Sequence, residues 1–294
     1  MNYVAHFGLR EPAFGITPDT TFYFACRGMQ EALNTLLVSV ANGEGFIKIT
    51  GEVGTGKTLL CRKFLASLGE DCVSAYVHNP GIEPRTLLIA ICDELGLQID
   101  PAGDQHHLLK QITGALLEYG ARDKRVVLCM DETQAMPFET LETLRLLTNL
   151  ETEKRKLLQV VLFGQPELDD RLAAESIRQL RQRIMFQHTL RALDDEEVAG
   201  YVAHRLAIAG YSGPPLFDRP ALKALWKASG GIPRLVNILA HKCLLLVYGE
   251  GGQCAGRHHV EAAVEDTPAA IGLRPWWRPR LAGWATARRS NERH

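Results

Sequence analysis

The consecutive residues Gly51-Glu52-Val53-Gly54-Thr55-Gly56-Lys57-Thr58 have the types and spacing to hold a phosphate chain. They follow the apolar run Phe46-Ile47-Lys48-Ile49-Thr50 and precede a helical pattern. That strand-loop-helix setting is what a phosphate-binding loop needs. Its glycines let the backbone curl so that N–H groups face an anion, and the helix start adds the positive end of its dipole. Lys57 then reaches the β- and γ-phosphates, and the Thr58 hydroxyl holds Mg²⁺.

A second set of groups lies roughly 70 residues further on, where Arg125-Val126-Val127-Leu128-Cys129-Met130 runs into Asp131-Glu132. Asp131 is expected to bind Mg²⁺, directly or through water, and Glu132 to orient and polarise an attacking water. A water-polarising acid favours hydrolysis over mere nucleotide binding. The apolar run 158–163 leads into Gly164-Gln165-Pro166-Glu167, placing Gln165 at a strand's carboxyl end, where it can sense the γ-phosphate or position water. Arg178, Arg181 and Arg183 precede the last strand; in an oligomer one of them, with Arg183 preferred, can reach a neighbour's ATP and stabilise charge on the transferring phosphoryl group. Gly230-Gly231-Ile232-Pro233-Arg234 joins two helices, so that Arg234 can close over the phosphates.

The elements that must position these groups are legible as an alternation. Strands are predicted at 46–50, 73–77, 126–130, 158–163 and 184–189. Helical spacing covers 28–42, 57–68, 85–96, 105–121 and 138–152, lengths that suit crossovers between parallel strands. This predicts a doubly wound α/β domain. Strand signals stop at Asp194, and helices are expected at about 194–210, 218–229, 233–248 and 257–266. The organisation expected is an N-terminal segment (1–24), a nucleotide-binding α/β domain (25–192), an all-helical lid (193–267) and a tail (268–294). Within the tail, 274–294 holds six arginines with Trp276, Trp277 and Trp284, and reads as a stretch without fixed structure.

Composition sets the limits. The 294 residues carry a formal net charge of −1, and the sequence pI is about 6.8, so any binding to nucleic acid or an acidic membrane must be local. Seven scattered cysteines with no CxxC read as buried small hydrophobes in a reducing compartment. Cys254, His258 and His259 match no common zinc spacing. Charges and Pro12 interrupt the N-terminus where a signal peptide needs an apolar core, and no apolar run is long enough to span a membrane. A cytoplasmic location is expected.

The phosphate loop, the Asp131-Glu132 strand end, Gln165, the arginine cluster and Arg234 in GxPR occur in the order found in the AAA+ ATPases, which this chain resembles. Within that class, His6-Phe7-Gly8-Leu9-Arg10-Glu11-Pro12-Ala13-Phe14, Thr17-Pro18-Asp19, Gly164-Gln165-Pro166-Glu167-Leu168 and Leu180-Arg181-Gln182-Arg183-Ile184 resemble the general secretion pathway protein A (ExeA-type) family. The likeness extends to the MshM-type ATPases of mannose-sensitive haemagglutinin pilus biogenesis. The resemblance implies a P-loop NTPase sheet with a helical lid, ATP and Mg²⁺ as ligands, a homo-oligomer, and partners among pilus or type II secretion biogenesis proteins at the inner membrane. It also implies that the segment around Phe7 and Phe14 lies near the adenine base, and that Arg234 is a second sensor. Secretion members continue into a membrane span and a peptidoglycan-binding domain, which this sequence lacks, so recruitment is expected through a partner or the basic tail. The same core resembles transposition (TniB-like) and origin-recognition ATPases that act on DNA; the near-neutral charge weighs against that alternative. A scaffold whose hydrolysis only resets a protein contact stays open.

Overall fold

The computed structural model describes residues 3–78, 81–99, 104–150 and 156–272. The tail reading for 274–294 lies outside the described residues.

Five strands, β1 (Phe46–Gly51), β2 (Cys72–Val77), β3 (Arg125–Met130), β4 (Leu158–Gly164) and β5 (Ile184–Leu190), form one sheet in the order β2-β3-β4-β1-β5. Every pairing is parallel. The three central strands β1, β3 and β4 are almost wholly buried, as parallel strands covered on both faces must be. From β1 the chain crosses to the edge at β2, returns through β3 and β4, and then jumps over β1 to β5. That ordering brings the carboxyl ends of β1, β3 and β4 side by side. A ligand site belongs there, outside the strand ends where the direction of winding reverses.

Helices α2 (Arg27–Ala41) and α3 (Lys57–Leu65) cover one face around Leu36, Leu60 and Phe64. The other face is covered by α4 (Pro84–Glu94), α5 (Gln105–Ala121), α6 (Phe138–Leu147) and α7 (Glu167–Ala173), packed around Leu88, Ile112, Leu144 and Leu168. A four-residue α1 (Tyr3–His6), the short α7 and α8 (Arg178–Arg181) carry too few residues for a period to show in sequence. The helix expected over 138–152 ends at Leu147, where the Thr148 hydroxyl turns back to the Arg145 carbonyl at 2.9 Å.

A helical unit follows: α9 (Asp195–Ile208), α10 (Arg219–Ser229), α11 (Pro233–Gly249) and α12 (Arg257–Glu265). Asp194 and Glu197 close a capping box on α9, Asp218 caps α10, and Pro233 opens α11. Its core recruits Phe7, Leu9, Phe14 and Phe22 from the chain's start. Among the described residues no helix is long and apolar enough to cross a membrane.

Candidate nucleotide site

The phosphate loop connects β1 to α3 and has the backbone the sequence requires. Gly54 and Gly56 sit at φ 84° and 99°, which side-chain-bearing residues rarely adopt. A Cβ on Gly51 would stand 2.8 Å from the Thr55 hydroxyl and 3.2 Å from the Leu190 carbonyl. Thr55 ties the loop to itself by donating to the Glu52 carbonyl at 2.8 Å. Lys57 is buried and folds back, donating to the carbonyls of Gly51 at 2.7 Å and Glu52 at 3.0 Å. Burial lowers its pKa, while Glu132, Asp131 and Glu52 pull in the opposite sense.

Beside the loop, the Thr58 hydroxyl donates to Asp131 Oδ2 at 2.6 Å, and the other Asp131 oxygen accepts from the Glu132 N–H at 3.0 Å. A hydroxyl and a buried carboxylate in contact offer the hard oxygen ligands that Mg²⁺ takes. These two side chains therefore fit the metal that the loop implies. Glu132 is half-buried at the rim. Burial alone would raise its pKa, but amide hydrogen bonds from Gln134 and Gln165 and the charge of Lys57 outweigh it, leaving the carboxyl below its ordinary range.

Two recesses meet at this point. A cleft is walled by Val53, Lys57, Thr58, Glu132, Arg205 and Arg234, together with residues 15–19 of the N-terminal segment. A neighbouring apolar pocket lies between Phe24, Met29, Leu59, Leu193 and Tyr201. Phosphates suit the first and a flat base the second. Phe7 and Phe14 line neither. Both are buried in the helical core, Phe14 edge-on to Phe217 with ring centroids 6.0 Å apart, while the rings lining the apolar pocket are those of Phe24 and Tyr201.

The helical unit touches the loop directly: the Arg234 N–H donates to the Gly54 carbonyl at 3.2 Å. The Arg234 side chain is exposed at the edge of the cleft. Gln165 stands at the end of β4, 3.1 Å from Glu132 Oε2. The three arginines lie farther round. Arg178 pairs with Glu175 at 3.2 Å, Arg183 donates to the Thr148 hydroxyl at 3.3 Å, and Arg181 is exposed.

Other groups at the site were not singled out by sequence. Tyr76, near the end of β2, donates to Asp131 Oδ2 at 3.3 Å, and burial followed by that carboxylate raises its pKa. His78 Nδ1 lies 3.7 Å from the same oxygen. Only the strand order, with β2 next to β3, would have pointed to them. Arg205 is buried between the Ala13 carbonyl at 2.6 Å and the Tyr201 hydroxyl at 3.0 Å, with its guanidinium 4.4 Å from the centre of the Phe22 ring. Far from the cleft, Glu250, His258 and His259 cluster within 4.8 Å. His259 Nδ1 there accepts the Gly256 N–H at 2.9 Å, so its proton sits on Nε2 towards Glu250, also at 2.9 Å. Such a ring is a helix cap with no lone pair left for a metal.

The sheet order, the loop and the acidic strand end define an AAA-type P-loop NTPase fold, and residues 40–172 match the AAA domain family. The chain is 43% identical over 249 residues to General secretion pathway protein A of Aeromonas hydrophila, an alignment covering 85% of this chain and 45% of that protein. It thus spans less than half of that relative's length. Among solved structures, Cdc6p from Pyrobaculum aerophilum superposes with a TM-score of 0.66 at 17% identity, over 84% of this chain and 70% of that one. The Aeropyrum pernix ORC2 protein gives 0.63 at 18%, over 88% and 73%. The Thermotoga maritima RuvB Holliday junction branch migration motor gives 0.54 at 16%, over 81% and 68%. At these identities the structures share the fold.

Proposed function

We propose that this chain is a Mg²⁺-dependent ATP hydrolase that works as a homo-oligomer in type II secretion or MSHA-like pilus biogenesis. The carrying observation is the contact of Thr58 with Asp131, with Glu132 adjoining it and Lys57 buried in the loop beside them. Thr58 and Asp131 would hold Mg²⁺, which supplies charge neutralisation along the phosphates. Lys57 exchanges its two loop carbonyls for phosphate oxygens. Glu132 takes the proton of the attacking water, and Gln165 orients that water or the γ-phosphate from the other side. Arg234 follows the helical unit over the cleft, and Arg183 serves a neighbouring subunit. The secretion assignment rests on the likeness to the Aeromonas protein, and a location at the cytoplasmic side of the inner membrane goes with it.

Two variants test the chemistry. Lys57→Ala should abolish ATP binding, read with a fluorescent ATP analogue. Glu132→Gln should bind ATP normally and lose turnover by about 10²-fold or more, as expected for removal of a general base. Full turnover by Glu132→Gln would overturn the assignment of the water-activating group. Duplex DNA is the control for the other reading: strong, salt-sensitive stimulation of hydrolysis by DNA would favour a transposition or origin-type role over secretion.

A further inference from the structure

Glu132 has a backbone conformation that side-chain-bearing residues avoid, φ 55° and ψ 37°, and it leads into a tight turn, Thr133–Ala135. The turn is pinned across to β4, because the Thr133 hydroxyl donates to the Phe163 carbonyl at 2.6 Å. This bend swings the Gln134 side chain back beside the carboxylate it follows.

Three contacts then close a ring. Gln134 Nε2 donates to Glu132 Oε2 at 2.6 Å, and Gln165 Nε2 donates to the same oxygen at 3.1 Å. Gln134 Oε1 accepts the backbone N–H of Gln165 at 3.0 Å. The Gln134 amide cannot be turned over without setting its oxygen against a carboxylate and its NH₂ against an N–H, so its partners fix its orientation. Both amide donors use Oε2, and among the described residues Oε1 is left for water.

We propose that Gln134 is a positioning residue that locks the Glu132 carboxylate to the end of β4, so that the water-activating group and Gln165 are placed as one unit. The inference rests on the hydrolytic reading above. Gln134 touches no part of the nucleotide in this scheme; it acts through Glu132 and Gln165.

The test uses the full chain with Gln134→Met, which keeps the length and removes both hydrogen bonds, and Gln134→Glu, which keeps the acceptor and removes the donor. Both should lower kcat about 10–100-fold, the usual cost of losing a partner that orients a functional group, with KM for ATP changed less than about threefold. Amide hydrogen exchange gives a readout apart from activity: the Gln165 N–H should exchange faster in Gln134→Met and stay protected in Gln134→Glu. Wild-type or higher turnover in both variants would overturn the proposal. So would equal protection of Gln165 in all three proteins, or a loss of ATP affinity that parallels the loss of kcat. Glu132→Gln measured alongside separates the failures. If it hydrolyses ATP, the reading of the site falls. If it is inactive while the Gln134 variants are not, only the role of Gln134 falls.

Discussion

The ammonium of Lys57 is an unusual tenant for a buried position, since its two acceptors are the neutral carbonyls of Gly51 and Glu52. A buried cation without a contacting carboxylate is costly, and an incoming phosphate relieves that cost by replacing dipoles with a full charge. Glycine has an equally local logic at two places. Gly231 adopts φ 73°, and a Cβ there would stand 2.0 Å from the Leu193 carbonyl oxygen, whereas Gly96, at φ 68°, has open space around it. Gly96→Ala should cost about 1 kcal/mol, the penalty of left-handed backbone alone. Gly231→Ala adds a backbone collision and should cost about 3 kcal/mol or more. Chemical denaturation of the two variants measures the difference, and equal losses would mean that the chain relaxes around Leu193.

At the level of elements, α11 is held against the chain's start by Tyr3, whose hydroxyl lies 3.2 Å from His241 Nδ1 with the rings edge to face. Burial lowers the His241 pKa below 6.5. As pH falls through about 6.5 the unfolded chain takes up this proton before the folded chain does, so stability is full above that pH and declines below it. The Tm advantage of wild type over His241→Gln should therefore shrink between pH 7.5 and 5.5; an advantage constant with pH would remove His241 from the account. The same junction shows what was legible in sequence. All five strands and the helical unit follow from periodicity, caps and prolines, and the phosphate loop is readable because its ligands are contiguous. Asp131 and Glu132 could be found because they end an apolar run. Tyr76 and Gln134 could not, since their meaning depends on β2 lying beside β3 and on a left-handed bend at Glu132. For Phe7 and Phe14 the sequence offers no choice, because an apolar ring is equally content in a core or against a base, and only packing chooses.

For the whole molecule, the proposed homo-oligomer makes the arginines before β5 the groups to test for action between subunits. Arg183 is half-buried and tied to Thr148 within its own chain, whereas Arg181 is exposed, so the two make a natural pair of variants. Mixing Arg183→Ala with Lys57→Ala subunits should restore part of the activity if Arg183 serves a neighbour's site. Recovery only with Arg181→Ala would transfer that role, and no recovery with either, where mixed oligomers form, would place it elsewhere. The rate per subunit should climb with protein concentration. The backbone bond from Arg234 to Gly54 has one more consequence, a mechanical one. Helix α11 has 17 residues, which makes it about 25 Å long, and it is fastened at one end to the phosphate loop. It is a pointer: a tilt of about 10° at the loop carries its far end, with the exposed Leu245 and Leu246, through about 4 Å. By that leverage, a shift smaller than an atom's width at the loop end would become one larger than an atom at the far end of α11.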